Sequence, residues 1–471
     1  MGSNPEDQRP EPFASALRGA LARLNRGLVG RDEQARCLLL AALCGEHVLL
    51  IGPPGTAKSE LARRLRGLVG GRYFERLLTR FTVPEELFGP LSLAALDEGR
   101  YLREIDGYLP TAKVAFLDEV FKANSAILNA LLTLLNERAF DQGADRIDVP
   151  LATLVAASNE VPADDSLKAF LDRFLFRCAV GPVGDDAFEA LLRSADASDA
   201  APDAAAEWAG GGLRSADLLA RLETASRAVV LPASIVAALS ALRAVMVDAA
   251  LEVSDRRWVQ AVHVLRVAAA THGRAQVAEV DLWLMRWLLA TDAVQAQRIE
   301  AWVAERLGGA RALEPVRLAR IAQAWDKQLE IEVTATELAF DDSGKLALAR
   351  GLGGADAGTM SDAAPRMSAF SRRRRFGASH VSARIAQLDA LLAEVDAWIA
   401  GAQAHRDAIC TDLSDNLWIL PAFSGQVLGR LAQGEHAMHG LRGMLQGTRA
   451  AFAELPLSET DDGRIPEPVS P

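Results

Sequence analysis

The segment Gly52–Ser59, which reads Gly-Pro-Pro-Gly-Thr-Ala-Lys-Ser, has the residue types and spacing of a loop that binds phosphate. Such a loop directs backbone N–H groups inward, places a lysine on the β- and γ-phosphates of a nucleotide and offers a hydroxyl to Mg²⁺. Ala57 replaces the glycine of the strict pattern. The alternative is a proline-glycine turn before a surface helix. The predicted phosphate-binding residues are Gly52, Pro53, Pro54, Gly55, Thr56, Ala57, Lys58 and Ser59.

Two carboxylates, Asp118 and Glu119, come directly after the apolar run 114–117. Ligands of open α/β sheets collect at the carboxyl ends of the strands, which is where these side chains would lie. Asp118 can hold Mg²⁺ there together with Ser59, and Glu119 can polarise a water for in-line attack on a γ-phosphate. The alternative is that the two acids only begin the next helix, because acidic residues favour a helix N-terminus.

Asn159 follows a third apolar run, 153–157, and can hydrogen-bond both an attacking water and a γ-phosphate. A turn asparagine is the alternative at such a position. Further along, Arg173 can stabilise transition-state charge on the nucleotide of a neighbouring subunit, with Arg177 as the alternate. An ordinary surface ion pair with Asp172 would explain Arg173 equally well.

These side chains require a parallel sheet to bring them together. Short apolar runs at 47–51, 114–117 and 153–157 are typical of strands buried on both faces, and an apolar stripe over 127–135 predicts a helix between the last two. Strands that alternate with helices indicate an α/β fold. Residues 181–212 are rich in Ala, Asp and Gly and are interpreted as a long connector, after which helical patterns run from 213 to about 306.

The last third of the chain has a different character. The segment 329–333 alternates with period two and predicts a half-exposed strand, and 351–379 is rich in Gly, Ala and Ser and contains the run Arg372–Arg375. Between 385 and 399 apolar residues recur at alternate steps of three and four, and a partner helix is predicted between 427 and 452. This short heptad seam favours a helical hairpin.

Composition excludes several classes of protein. The 471-residue chain has 51 Lys+Arg against 62 Asp+Glu, a net charge of −11, which argues against a nucleic-acid partner because duplex binding depends on phosphate neutralisation. Only six of the basic residues are lysines, so a lysine inside a motif is informative. No run of 18 uncharged apolar residues and no hydrophobic signal core appear, so we expect no transmembrane segment and a cytoplasmic protein. The cysteines lack metal or redox spacing and are predicted to be small buried residues; they are Cys37, Cys44, Cys178 and Cys410.

Taken in order, these features resemble the AAA+ ATPases, and more narrowly the MoxR branch and its RavA (regulatory ATPase variant A) group. The resemblance covers about residues 14–300 and rests on Arg80-Phe81, Glu86–Gly89, Gly107–Pro110, Leu117–Ala123, Leu134–Arg138, Leu171–Phe174 and Ser254–Trp258. Loops of this family often carry Ala-Lys at the place of Ala57 and Lys58.

The resemblance implies a function for each site residue, with ATP and Mg²⁺ as ligands. The implied residues are Val29 and Gly30 at the adenine, Lys58 at the phosphates, Ser59 and Asp118 at Mg²⁺, Glu119 as the water-activating base, Asn159 as the γ-phosphate sensor, Arg173 as the finger and Arg256, with Arg257 as its alternate, as the lid sensor.

The resemblance also implies a hexameric ring that remodels or matures a protein client beside a partner with a von Willebrand factor A (VWA) domain. An insert near 91–108 would carry Leu93, Leu96 and Tyr101 on a pore-facing hairpin. A nucleotide-switched scaffold and a transcription-regulating AAA+ ATPase are the alternatives. The intact Asp118-Glu119 pair disfavours the scaffold, and the sequence has neither the Gly-Ala-Phe-Thr-Gly-Ala loop nor the helix-turn-helix of such regulators.

The predicted fold class is α/β: an AAA+ P-loop core with a parallel sheet, an all-α lid and a C-terminal helical bundle with a small β-containing insert. The RavA layout would bind a lysine decarboxylase through that insert, but the insert here is too short to support this expectation. The predicted boundaries are 1–12 flexible tail, 13–190 core, 191–306 lid, 307–328 and 379–456 bundle, 329–378 insert and 457–471 flexible tail.

Overall fold

A computed structural model describes residues 13–143, 145–162, 164, 167–196, 216–249, 251–309, 313–338, 371–461 and 463–469. The chain divides into two compact units. The first unit comprises Met1–Leu307 and Thr411–Gly425, and the second comprises Gly308–Cys410 and Gln426–Pro471. The predicted tail 1–12, most of the predicted insert and residues 197–212 of the predicted connector lie outside the described residues.

The first unit is built on a five-stranded parallel sheet, as the alternation of apolar runs predicts. Its strands are β1 (Val48–Ile51), β2 (Tyr73–Leu77), β3 (Val114–Asp118), β6 (Thr153–Ser158) and β7 (Phe176–Ala179), in the spatial order β2-β3-β6-β1-β7. The register pairs Leu50 with Ala157 and Phe116 with Val155, so the strands end at one common edge. An antiparallel hairpin of β4 (Ala139–Gln142) and β5 (Asp145–Asp148) stands apart from this sheet.

Helices cover the sheet and continue into a helical region. Those up to β7 are α1 (Phe13–Asn25), α2 (Asp32–Cys44), α3 (Lys58–Val69), α4 (Pro84–Phe88), α5 (Leu93–Asp97), α6 (Ser125–Glu137) and α7 (Lys168–Leu171). Those after β7 are α8 (Asp185–Asp196), α9 (Ala216–Ala228), α10 (Ala233–Asp248), α11 (Asp255–Thr271), α12 (Met285–Leu288) and α13 (Ala293–Gly309). Helix α8 lies inside the segment that the sequence predicted to be a connector. Short 3₁₀ helices span Leu109–Thr111, Val120–Lys122 and Glu279–Leu284.

The core of the first unit includes the interface between the sheet and the apolar side of helix α6, which the sequence predicts over 127–135. Helix α6 buries Ile127, Leu128 and Leu131 against strands β3 and β6, as its 3.6-residue period requires. Asn124 caps this helix, because its Oδ1 accepts the backbone N–H of Ile127 at 3.1 Å. The cap fixes the start of α6, which follows Asp118 and Glu119 after the short 3₁₀ turn Val120–Lys122.

The second unit contains most of a long helical hairpin, as the heptad pattern predicts. Its helices are α14 (Leu313–Thr334), α15 (Ala378–Ser414) and α16 (Pro421–Ala453), and a two-stranded ladder pairs β8 (Thr336–Leu338) with β9 (Ser371–Arg373). The heptad residues Leu388, Val395 and Ile399 lie in its core. Of the cysteines predicted to be buried, Cys37 and Cys178 are buried, Cys44 is half-buried and Cys410 is exposed.

The strand predicted over 329–333 is wrong, because this segment is the last part of helix α14. The core-facing stripe of that helix runs from Leu318 through Ala322, Trp325 and Leu329 to Glu332, with steps of four, three, four and three. Glu332 can be buried because its carboxylate is paired on both oxygens. Its Oε1 lies 3.0 Å from Arg384 Nη2, and its Oε2 lies 2.8 Å from His380 Nε2. A paired acid therefore occupies a core position, and the apparent period of two is an accident of the residues around it.

The turn of the hairpin belongs to the first unit, although the sequence assigned all of 379–456 to the bundle. The indole N–H of Trp418, which is buried, donates to Thr271 Oγ1 at 2.9 Å. The backbone N–H of Leu417 donates to His272 Nε2 at 2.9 Å, and Phe423 packs 5.9 Å from Trp283 between ring centroids. Residues Thr411–Gly425 are thus part of the core around helix α11.

The segment after α16 was predicted to be a flexible tail, but its described part is held against the second unit. Phe376 forms a parallel bridge with Leu457, and the backbone N–H of Ser379 donates to Asp461 at 2.9 Å. Arg384 donates to the carbonyl of Glu467 at 2.7 Å. In the part of the chain that the structure describes, we find no helix long and apolar enough to cross a membrane.

Candidate active site

The predicted phosphate loop connects strand β1 to helix α3, and its backbone explains its composition. A Cβ at Gly52 would overlap the carbonyl oxygen of Val180, so this position needs glycine. Gly55 has φ +79° and Ala57 has φ +64°, both in the left-handed region. A left-handed Ala57 costs roughly 1–2 kcal/mol, which explains why the strict pattern places glycine there.

Lys58 lies under this loop and is 7% exposed. Its Nζ donates to the carbonyl oxygens of Gly52 at 2.6 Å and Pro53 at 2.9 Å. Burial lowers the pKa of the Lys58 ammonium, while the nearby charges of Asp118 and Glu119 raise it. A buried cation that is satisfied only by backbone carbonyls is suited to exchange them for phosphate oxygens, which are stronger acceptors.

Arg31 joins the loop to the segment that contains Val29 and Gly30. Its Nε donates to the carbonyl of Thr56 at 3.0 Å and its Nη1 donates to that of Gly30 at 2.8 Å. Burial lowers the pKa of this guanidinium. Arg31 thereby links Gly30 to the phosphate loop. From the sequence, Arg31 is only the residue that follows Val29 and Gly30 in the predicted adenine segment, and its contact with the phosphate loop is seen in the structure alone.

Glu119 lies at the carboxyl end of β3 and contacts Asn159 at the end of the adjacent strand β6. The Asn159 amide donates to Glu119 Oε1 at 2.6 Å. Lys122 Nζ lies 3.2 Å from the same oxygen. Glu119 has φ +54°, and its backbone N–H donates to Asp118 Oδ1 at 3.0 Å. The structure thus brings together the two predicted groups that act on water, and it adds Lys122, which the sequence analysis missed.

Ser59 and Asp118 are the residues that could hold Mg²⁺. A hydroxyl and a carboxylate oxygen are the hard donors that this ion prefers. Ser59 follows Lys58 in the first turn of α3, and Asp118 is near enough for its charge to raise the pKa of Lys58. One Asp118 oxygen accepts the Glu119 N–H, which leaves the other for a cation. The donor chemistry therefore fits Mg²⁺ beside a bound triphosphate.

The four candidate arginines differ in burial. Arg177 is buried in β7, where its Nη2 donates to the Leu171 carbonyl at 3.0 Å and burial lowers its pKa to about 9. Arg173 is half-buried and Arg256 is exposed. Burial lowers the pKa of Arg173, and the charge of Arg256 lowers it further, so the two guanidinium groups are neighbours.

Arg257 is 2% exposed and joins helix α11 to the end of the sheet domain. It donates to the carbonyls of Phe174 at 3.0 Å, Leu175 at 2.8 Å and Leu288 at 3.0 Å. It also lies 3.4 Å from Asp172 Oδ1. Burial lowers its pKa and Asp172 opposes that change. These contacts satisfy Arg257 completely within its own unit.

Arg173 and Arg256 lie at the edge of the sheet opposite the phosphate loop. Arg173 precedes β7, which runs parallel to β1, and the charge of Arg256 acts on Glu46, which precedes β1. The phosphate loop instead follows β1. A four-residue strand spans about 13 Å at 3.3 Å per residue, so the length of β1 separates the arginine pair from the phosphate loop.

The predicted insert contains a short helix, α5, between Leu91 and Arg103, which form an antiparallel bridge. It is braced by the β4–β5 hairpin, because the Gln142 amide donates to the Arg103 carbonyl at 2.7 Å and a Cβ at Gly143 would collide with the Tyr101 carbonyl. The three predicted apolar residues are exposed; they are Leu93, Leu96 and Tyr101.

Comparison with known proteins matches both parts of the first unit. A family model described as the MoxR domain in the MoxR-vWA-beta-propeller ternary systems matches residues 15–210, and a model described as an AAA lid domain matches residues 234–303.

Curated relatives are similar over the same region. An uncharacterised protein of Methanocaldococcus jannaschii is 39% identical over 265 residues, 56% of this chain and 68% of the relative. The protein MoxR of Paracoccus denitrificans is 30% identical over 37% of this chain and 52% of its own. The chaperone MoxR1 of Mycobacterium tuberculosis is 30% identical over 38% of this chain and 48% of its own.

Proposed function

Because this chain belongs to the MoxR family of AAA+ ATPases, we propose that it hydrolyses ATP with Mg²⁺ and uses the energy to remodel a protein partner. One observation carries the hydrolytic part of the proposal. The carboxylate of Glu119 is hydrogen-bonded to Asn159 at 2.6 Å, at the same sheet edge as the phosphate loop. An acid and an amide in this arrangement can hold a water in line with a γ-phosphate.

In the proposed reaction, water attacks the γ-phosphorus, the bond to the bridging oxygen of ADP breaks, and inorganic phosphate leaves. Lys58 releases the carbonyls of Gly52 and Pro53 to bind the β- and γ-phosphates. Glu119 orients the water and accepts its proton, and Asn159 contacts both the water and the γ-phosphate. Bound Mg²⁺ would neutralise phosphate charge between Ser59 and Asp118.

The arginine pair supports hydrolysis between subunits. Arg173 and Arg256 lie at the sheet edge away from their own phosphate loop, so a phosphate that they contact would belong to another subunit. A closed ring, hexameric by resemblance to the family, gives every subunit such a neighbour. We therefore assign Arg173 as the finger and Arg256 as its companion, and Arg177 and Arg257 as residues that hold the fold.

Remodelling of a client complex with a VWA partner is the proposed output. The description of the matching family names a vWA component, and one relative is named a chaperone. The insert supplies exposed apolar groups in Leu93, Leu96 and Tyr101, which are suited to contact a protein.

The proposal is tested with Glu119→Gln, which removes the base and keeps the shape of the side chain. We expect this variant to bind ATP as tightly as the wild type and to hydrolyse it at least about 100-fold more slowly. The measurements are steady-state phosphate release and fluorescent nucleotide binding. The matched control is Glu160→Gln, the same change at an exposed acid next to Asn159, which should leave turnover unaltered. Wild-type turnover in Glu119→Gln would contradict the assignment.

A further inference from the structure

Lys122 contacts the carboxylate that the proposed mechanism uses, yet that mechanism gives the lysine no task. Its Nζ lies 3.2 Å from Glu119 Oε1, the oxygen that also accepts the Asn159 amide at 2.6 Å. A cation and an amide therefore converge on one oxygen of the carboxylate. The second oxygen, Oε2, is left to receive a water.

Hydrogen bonding and packing hold the backbone around Lys122 in place. Lys122 ends the 3₁₀ turn Val120–Lys122, and its N–H donates to the Glu119 carbonyl at 2.9 Å. Val120 is fully buried, and the ring of Phe121 packs edge-on against Phe170 at 6.1 Å between centroids. Val120 and Phe121 hold this turn in place. Lys122 therefore lies where its ammonium reaches the side chain of Glu119.

The contact is better suited to orientation than to stability. The Lys122 side chain is 61% exposed and that of Glu119 is 17% exposed. Ion pairs with an exposed partner contribute little to folding. The backbone of Glu119 is left-handed, so its side chain starts from a conformation that few residues adopt, and two donors on Oε1 select one rotamer for it.

We propose that Lys122 is a positioning residue for hydrolysis. Together with Asn159 it fixes Glu119 Oε1 so that Oε2 meets the attacking water. This inference rests on the proposed ATPase function. It predicts that loss of the ammonium lowers kcat, because the base is no longer held in place, while ATP binding at the phosphate loop is unaffected.

The test compares Lys122→Met with Lys122→Arg in the full chain at saturating Mg²⁺ and ATP. We expect Lys122→Met to lower kcat about 10-fold with KM for ATP within about twofold of the wild type, because a misplaced catalytic group slows chemistry. Lys122→Arg should recover kcat to within about threefold, since it restores a cation. Lys327→Met, a change at an exposed lysine of the second unit, is the matched control and should leave kcat unchanged.

A double variant separates positioning from a general loss of structure. If Lys122 acts through Glu119, adding Lys122→Met to Glu119→Gln should not slow hydrolysis further. An unchanged or raised kcat in Lys122→Met, a failed rescue by arginine, or a further loss in the double variant would overturn the inference while leaving the ATPase function intact. A wild-type chain without ATP hydrolysis would overturn both proposals.

Discussion

The two edges of the parallel sheet hold their charged groups in different ways. At the carboxyl edge, Lys58 and Glu119 are held by a few hydrogen bonds to groups that can change partners. At the amino edge, Arg257 is buried and donates to three carbonyls beside Asp172. Groups that take part in chemistry must exchange their ligands during a cycle, whereas groups that join two parts of a fold should keep them.

Arg173 and Arg256 are exceptions at the amino edge, because they lie beside the buried arginines but keep exposed surface. Two neighbouring guanidinium groups repel each other unless an anion compensates them. This difference can be measured, because substitution in the Arg173–Arg256 pair should lower ATP turnover, whereas substitution of Arg257 should lower the free energy of unfolding.

The largest expected effect is on hydrolysis in Arg173→Ala. We expect ATP turnover to fall by about 10³-fold, because a finger arginine stabilises transition-state charge. Phosphate release is measured at protein concentrations where the wild-type rate per subunit has reached its plateau. Arg193→Ala is the matched control, since Arg193 is an exposed arginine of α8 paired with Glu189.

Mixing variants tests whether the finger acts between subunits. Equal amounts of Arg173→Ala and Glu119→Gln should recover part of the activity that each lacks alone, because some interfaces then combine an intact finger with an intact base. No recovery in mixed assemblies, or full activity of Arg173→Ala by itself, would contradict a finger acting in trans.

A smaller effect, on stability, is expected for Arg257→Ala. Its removal leaves three carbonyls without this donor and Asp172 without its guanidinium partner, so we expect a loss of about 3 kcal/mol in the free energy of unfolding of the first unit. Arg256→Ala, at the exposed neighbour, should change this value by less than about 0.5 kcal/mol. Native-state hydrogen exchange of the β1 amides measures both. Equal losses in the two variants would remove the distinction between these arginines.

The smallest effect is a pH dependence at His47, before β1. Its Nδ1 accepts the Leu154 N–H at 3.1 Å, and burial, with the charge of Arg138, lowers its pKa to about 3. Between that value and about 6.5 the unfolded chain binds a proton that the folded chain does not, so stability falls as pH decreases. From pH 7.5 to 5.0 this residue should cost the folded state about 2 kcal/mol.

The variant His47→Gln should flatten that dependence, because glutamine does not titrate. Exchange of the β1 amides at the two pH values is again the measurement. The loss between pH 7.5 and 5.0 should be smaller in the variant by about the contribution of His47. Parallel losses in the two proteins would show that other groups, such as the half-buried His272, account for the whole effect.

The sequence predicts the parallel sheet well because the sheet depends on local signals. Short apolar runs such as 153–157, bounded by turn residues, are typical of strands buried on both faces, and this run forms β6. The meeting of Glu119 with Asn159 is also predictable, since both follow strands of one parallel sheet.

The wrong predictions concern residues whose placement depends on contacts with distant parts of the chain. Glu332 occupies a core position only because Arg384 and His380 come from a helix almost fifty residues away, so its helix looked like a strand. The role of Trp418 depends in the same way on Thr271, which is distant in sequence. Lys122 was missed for another reason: a lysine three residues after an acid usually signifies nothing, and only the 3₁₀ turn between them gives it a meaning.

The discontinuity of the first unit affects the order in which the protein can fold during synthesis. Its core includes Trp418 and Phe423, which are added long after Leu307. From Leu307 to Gly425 is 425 − 307 = 118 residues, which takes about 6–24 s at ribosomal rates. Until then the surface around Thr271 and Trp283 lacks its cover, so a newly made chain exposes that apolar surface to cellular chaperones until its own later segment closes it.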